Sequence, residues 1–270
     1  MDLRRPARYF QLTVVVCLSL RQKISKTDAC SLDSLQDPSR WSSLPFPSLS
    51  RKLPLDRFHL NQDRTFRFMG RRIFAEVYQT VSNMSFTTGT IYSLQGSLGS
   101  GKSHILAALV CLLAKEDKRV VYLPDARVLA TDIVEYTKEA LQLAYADDQA
   151  LFKQIQGLSS IADIFQFSGE CSRRDECWYL ICDQMNALDH FPDTANTLGP
   201  NAQQEALQFI QRLSKNHYFI WSASGNCRQA ASNNRRQNSG AKRLLFREGY
   251  NRVRSSLPSD TWSTPTNMRG

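Results

Sequence analysis

The stretch Gly96-Ser97-Leu98-Gly99-Ser100-Gly101-Lys102-Ser103 decides the fold. It satisfies the phosphate-binding pattern G-x-x-x-x-G-K-[ST] at every fixed position. Gly96, Gly99 and Gly101 let the backbone take positive φ angles and approach phosphates with no Cβ in the way. The N–H groups of the loop, with Ser97, Leu98 and Ser100 between the glycines, then point inward as an anion nest. Lys102 adds a mobile positive charge for β and γ phosphates, and Ser103 offers Mg²⁺ a hydroxyl, the hard oxygen ligand it prefers. A helix starting here adds the positive end of its dipole.

The flanks separate a phosphate loop from a Gly/Ser-rich linker. Thr90 to Leu94 is short, alternating and rich in β-favouring types, so it reads as a strand. His104 to Lys115 is strongly apolar over a helical length and reads as a buried helix.

Downstream, Val120 to Leu123 is a second strand closed by Pro124 and Asp125. Asp125 is placed to cap a helix running through Ile133, Tyr136 and Leu141 to about Ala146. A helix over Ala150 to Leu158, an apolar segment Ile161 to Phe167 and a charged loop Gly169 to Glu176 follow. Trp178 to Cys182 is a continuous apolar run, as in a central strand of a parallel sheet covered on both faces, and it ends in Asp183-Gln184. An apolar strand with Asp at its carboxyl end is the expected Mg²⁺-side partner of a phosphate loop. The strand between the two motifs in sequence suggests the subclass in which another strand separates theirs in space. Asn201 to Lys215 reads as an amphipathic helix and His217 to Trp221 as a fourth strand. Its tip, Ser222-Ala223-Ser224-Gly225-Asn226, is either an ordinary turn or a γ-phosphate contact through Asn226, Ser222 or Ser224. Residues 227–254 carry eight Arg and Lys against Glu248, a tract that binds phosphate backbones or is simply solvated. Leu244-Leu245-Phe246 within it can supply a fifth strand. The fold class read from this pattern is α/β, a three-layer α/β/α sandwich with a mostly parallel sheet.

Upstream, Arg67 to Val81 places Phe74, Val77, Tyr78 and Val81 at helical steps, with Arg71 and Arg72 at the start of a helix that either covers a base or ribose or, the reading favoured here, leaves the arginines on a solvated face. Residues 30–55 have linker composition, with Trp41 and Phe46 packing on the domain edge. Leu12 to Leu20 reads as a buried strand or a poorly ordered leader; a secretory signal lacks support because RQKISK stands where a small-residue cleavage site would be. The run is too short to span a bilayer, so no membrane partner is expected. The expected domains are a poorly ordered leader and linker over 1–60, a nucleotide domain over 61–250 and a disordered tail over 251–270. A net charge of +9 favours anionic partners. Seven irregularly spaced cysteines favour a reduced compartment over a disulfide framework, and the Cys171–Cys177 spacing is not one used for zinc.

The string Ile181-Cys182-Asp183-Gln184-Met185-Asn186-Ala187-Leu188-Asp189 adds a finer signal. It resembles the hhDQ-x-NAL-[DE] signature of the NTPase module in Crinkler effectors and the related retrotransposon-hot-spot proteins. Val121-Tyr122-Leu123-Pro124-Asp125, Ser222 to Asn226 and the phosphate loop agree with it. The resemblance covers roughly residues 67–250. It implies an ATP-binding P-loop NTPase with sheet order 5-1-4-3-2, secretion into a host, delivery to the host nucleus and a host protein as partner; otherwise the chain is intracellular. The family's leucine–phenylalanine–leucine–alanine–lysine header is not seen, and the sequence stops where an effector domain begins in many members, so a fragment or a mispredicted gene product is expected. In this reading Gly96 to Ser103 hold the triphosphate, and Ser103 and Asp183 hold Mg²⁺. Gln184 stands where an acid usually does; it orients water but is no general base. Asn226 senses the γ phosphate, and Asp189 is the nearest spare carboxylate. Two other readings are a nucleotide switch without useful hydrolysis and a nucleic-acid binder acting through 227–254.

Overall fold

The computed structural model describes residues 4–50, 52–87, 90–188, 199–224 and 242–246. The first part of the chain forms α1 (Arg4–Ser25), α2 (Leu32–Gln36), β1 (Trp41–Pro45), β2 (Thr65–Met69) and α3 (Arg72–Ser82). The phosphate loop joins β3 (Ile91–Gly96) to α4 (Lys102–Lys115). Then come β4 (Val120–Leu123), α5 (Ala126–Thr131), α6 (Ile133–Ala144), α7 (Gln149–Gln156), α8 (Ile161–Arg173) and β5 (Tyr179–Cys182). A 3₁₀ turn (Met185–Leu188), α9 (Pro200–Leu213), a second 3₁₀ turn (Ser214–Asn216), β6 (Tyr218–Ser224) and β7 (Lys242–Phe246) complete the described elements.

Five strands form one parallel sheet in the order β4-β5-β6-β3-β7. Successive side chains of a strand face opposite ways, and the core divides accordingly. Val120, Tyr122, Tyr179, Ile181 and Ile220 join one apolar cluster with α3 and α4. Val121, Leu123, Leu180, Cys182 and Phe219 join a second with α5 to α9. All four residues of β4 and of β5 are buried, so these runs do not alternate in polarity. Helix α4 is buried on nearly all sides, from Ile105 to Leu113, which explains its all-round apolar sequence.

The N-terminal expectations need correction. Leu12 to Leu20 is neither a strand nor a poorly ordered leader but the middle of α1. Cys17, Leu20 and Ile24 fall at helical spacing, and α1 packs against α4, α6 and β1. Arg21 pins it by donating to the Ala144 carbonyl at 2.8 Å and pairing with Asp147 at 3.3 Å. Tertiary packing overrides the β preference of Val14, Val15 and Val16. The presumed linker is also folded. β1 pairs antiparallel with β2, and Cys30, Leu35, Leu44, Phe46 and Phe58 are buried with the α3–α4 cluster. Phe46 is thus core, whereas Trp41 is 59 % exposed beneath the Arg67 guanidinium.

Three helix boundaries also differ. Arg67 to Met69 belong to β2, so the helix begins at Arg72. The helix expected from Asp125 to Ala146 breaks at Asp132, whose non-helical backbone and side-chain bond to the Glu135 N–H start α6 afresh. Residues 161–173 form one helix behind a capping box of Ser160 and Asp163, absorbing much of the expected charged loop. Asp189, Asn226, most of the basic tract and the 251–270 tail lie outside the described residues.

Candidate functional site

The carboxyl ends of β3, β5 and β6 and the head of α4 border one cleft of about 450 Å³. Leu98, Gly99, Gly101, Lys102, Ser103, Asp183, Gln184 and Ser222 line it. The structure therefore brings the phosphate-loop lysine and the strand-ending aspartate into one cavity, with β6 between their strands.

The loop shape rests on two glycines. Gly99 and Gly101 have φ of +77° and +82°, a region that excludes most side chains. Gly96 departs from expectation: it ends β3 in register with Ser224 and Phe246, without a positive φ. Lys102 is buried, and its Nζ donates to the Gly96 and Ser97 carbonyls at 3.0 and 2.8 Å and to Ser100 Oγ at 3.3 Å. Burial lowers the pKa of its ammonium, and the charge of Asp183 opposes that shift. Leu98, at the loop tip, is 88 % exposed.

Asp183 is fully buried. Ser222 Oγ and the Gln184 N–H donate to its Oδ1, and Arg57 Nη1 donates to Oδ2 at 2.6 Å. Gln184 has φ +59°, the left-handed region that a non-glycine residue enters at a cost of about 1–2 kcal/mol. The turn aims its N–H at Asp183 Oδ1 (2.9 Å) and Ser222 Oγ (3.3 Å). Ser222, a candidate for γ-phosphate contact, lines the cleft and orients the carboxylate. Ser224 is described only through its backbone, which pairs with Gly96.

Sequence reasoning missed one arginine, Arg57, and favoured solvent for another, Arg71. Arg71 is not merely on a solvated face: its Nη1 donates to the Ser100 carbonyl, and its guanidinium lies 2.5–2.7 Å from where a Cβ on Gly101 would stand. Arg57, from the presumed linker, bridges the ends of two strands by donating to Asp183 and, through Nη2 at 2.9 Å, to Asp125. Asp125 does cap α5, accepting from the Arg127 N–H, and also accepts from the Arg127 side chain. No local pattern marks Arg57; the charged pair Asp56-Arg57 within a Ser/Pro-rich stretch was its only signal. His104, stacked on Phe58 at 4.6 Å, lines the cleft too, and burial with the nearby Arg71, His59 and Arg57 pushes its pKa down to about 4.

The donor set fits a magnesium-bound triphosphate. Positive-φ glycines shape an anion-binding loop, beside which stand an ammonium, a hydroxyl and a buried carboxylate. Among the described residues no group of three or more His, Cys, Asp or Glu side chains could hold a metal ion, and no helix is long and apolar enough to cross a membrane.

No protein-family model matches the chain, and no curated protein does. Among solved structures it is similar to AMPPCP-bound DnaA from Aquifex aeolicus, with 18 % identity and a TM-score of 0.37. The similarity covers 73 % of this chain and 51 % of that one, so the chain spans about half the length of that structure.

Proposed function

We propose that this chain is a MgATP-binding P-loop NTPase that hydrolyses ATP slowly, similar to the NTPase module of Crinkler-type effectors. The observation that carries this reading is the shared cleft of Lys102, Ser103 and Asp183. The sheet order supports it: numbered along the sheet's own strands, β4-β5-β6-β3-β7 is 2-3-4-1-5, the reverse of 5-1-4-3-2. The DQ-x-NAL string is the ground for the family resemblance, and with it for secretion, a host protein partner and the host nucleus.

In this proposal the loop from Gly96 to Gly101 holds the phosphates with its N–H groups, and Lys102 turns from the loop carbonyls to the β and γ phosphates. Ser103 and Asp183 hold Mg²⁺, with Ser222 keeping the carboxylate oriented. Bound Mg²⁺ neutralises phosphate charge during transfer. Gln184 positions water through its side-chain amide, and Asn226 senses the γ phosphate. With Gln184 in the place of an acid, turnover rests on positioning and charge stabilisation, which suits a slow enzyme.

The test is ATP binding and steady-state phosphate release by the purified chain and its Lys102→Ala variant. The expected result is micromolar to millimolar binding that Lys102→Ala weakens at least about tenfold, the worth of one charge-assisted contact, with release above background only in the wild type. Binding without release would favour the switch reading, which Gln184 in place of an acid motivates. No binding at millimolar MgATP would overturn the proposal. The basic tract motivates the remaining reading, DNA affinity that falls steeply with salt and survives Lys102→Ala.

A further inference from the structure

Arg57 is the arginine among the described residues lining the cleft, and it sits on the carboxylate assigned to the metal. Its side chain is 12 % exposed, that of Asp183 1 % and that of Asp125 5 %. A guanidinium this close to two buried carboxylates neutralises charge that would otherwise be costly to bury. Arg57 comes from a segment anchored by Phe58, which packs edge-on against Phe46 and Phe66 at 4.9 and 5.4 Å. The arginine is therefore held in place from behind and does not drift in from solvent.

We infer that Arg57 is a built-in counter-ion for Asp183 that a divalent cation must displace, making it a positioning residue that sets how strongly Mg²⁺ assists nucleotide binding. The inference rests on the proposed MgATP site. Asp183 Oδ1 already accepts from Ser222 and the Gln184 N–H, so Oδ2, where Arg57 sits, is the oxygen at issue. Two cations compete for it. When the metal arrives, Arg57 keeps its second anchor, because Nη2 remains on Asp125 and Nε is 3.5 Å from Asp56. Arg127 also holds both of those aspartates, at 2.6 and 2.8 Å, so the cluster around the displaced arginine stays neutralised. With the metal absent, Arg57 substitutes for it electrostatically and keeps the strand ends together.

The measurement is the Kd of a fluorescent ATP analogue with Mg²⁺ and with EDTA, for wild type, Arg57→Gln and Arg57→Lys, each checked for folding by circular dichroism. The quantity read is the ratio of the metal-free to the metal-bound Kd. Arg57→Gln removes the competitor, and the ratio should rise about tenfold, the lower end of what one charge-assisted hydrogen bond is worth. Arg57→Lys keeps a charge but cannot bridge Asp125 and Asp183 together; its ratio should rise at least about threefold, and it decides the matter if Arg57→Gln does not fold. A merely structural arginine would weaken both Kd values alike and leave the ratio at the wild-type value, which would overturn the inference while leaving the nucleotide site intact. Failure of the wild type to bind the analogue under either condition would overturn the nucleotide reading and this inference with it.

Discussion

A Cβ added to Gly101 would lie 2.5 Å from Arg71 Nη2, on a backbone whose φ of +82° already disfavours any side chain. The two problems reinforce each other, because Arg71 is tied to the Ser100 carbonyl and cannot swing away without losing that bond. Gly101→Ala is therefore expected to destabilise the fold by about 1–2 kcal/mol from backbone strain and to weaken nucleotide binding beyond detection. Urea denaturation and analogue titration check the two parts separately. Adding Arg71→Ala should relieve the contact but not the strain, so binding should return only in part. At Gly99 a Cβ would meet nothing within 4 Å, and only the φ penalty applies. The motif pattern fixes a glycine at 101 and leaves position 99 open, and it says nothing of what surrounds either. The crowding that distinguishes them comes from an arginine 30 positions earlier in the chain, and no spacing rule could indicate it.

Among the elements, the segment between β1 and β2 departs furthest from its sequence reading. Its serines and prolines have linker composition, yet Phe58 is 1 % exposed, ringed by Phe46, Phe66 and His104. Phe58→Ala should cost about 3–5 kcal/mol, the range for truncating a buried phenylalanine, measured as a shift in the urea midpoint at constant slope. A loss below about 0.5 kcal/mol, the usual ceiling for surface substitutions, would return this segment to the status of a linker. Because Phe58 supports both His104 in the cleft and its neighbour Arg57, the same variant should also weaken nucleotide binding. The elements legible in the sequence were those whose pattern is local. The apolar runs of β4 and β5 and the all-round apolar α4 signal burial without reference to any partner. Helix α1 was misread because its three consecutive valines favour a strand in isolation, and only its packing on α4 and α6 selects the helix.

At the scale of the whole molecule, stability depends on keeping buried histidines neutral. His217 is fully buried, stacked on Trp178 at 4.1 Å, and its Nδ1 accepts from the Trp178 N–H at 3.2 Å. Nε2 therefore carries the proton and donates to Ser168 Oγ at 2.7 Å. Burial pushes the pKa of this imidazole from 6.5 down to about 4. The unfolded chain takes up the proton first, so this contribution is fully present above about pH 6.5 and is lost as pH falls towards 4, by about 3 kcal/mol. His104 acts in the same sense over the same window. Urea midpoints at pH 7 and pH 4.5 should show the loss. In His217→Gln, whose amide can accept from Trp178 and donate to Ser168, the slope should shrink to what His104 leaves. A wild-type midpoint that does not move over this range would refute the assignment. What the sequence determined by itself was the chemistry available: a phosphate loop between a strand and a helix, and an apolar strand ending in Asp183. Those signals are carried by neighbouring residues whose spacing reflects backbone geometry. Only the tertiary structure decided which groups meet Asp183, namely Ser222 from β6 and Arg57 from ahead of β2. Such contacts join residues 39 and 126 positions apart, and a pairing made by folding leaves no periodic trace along the chain.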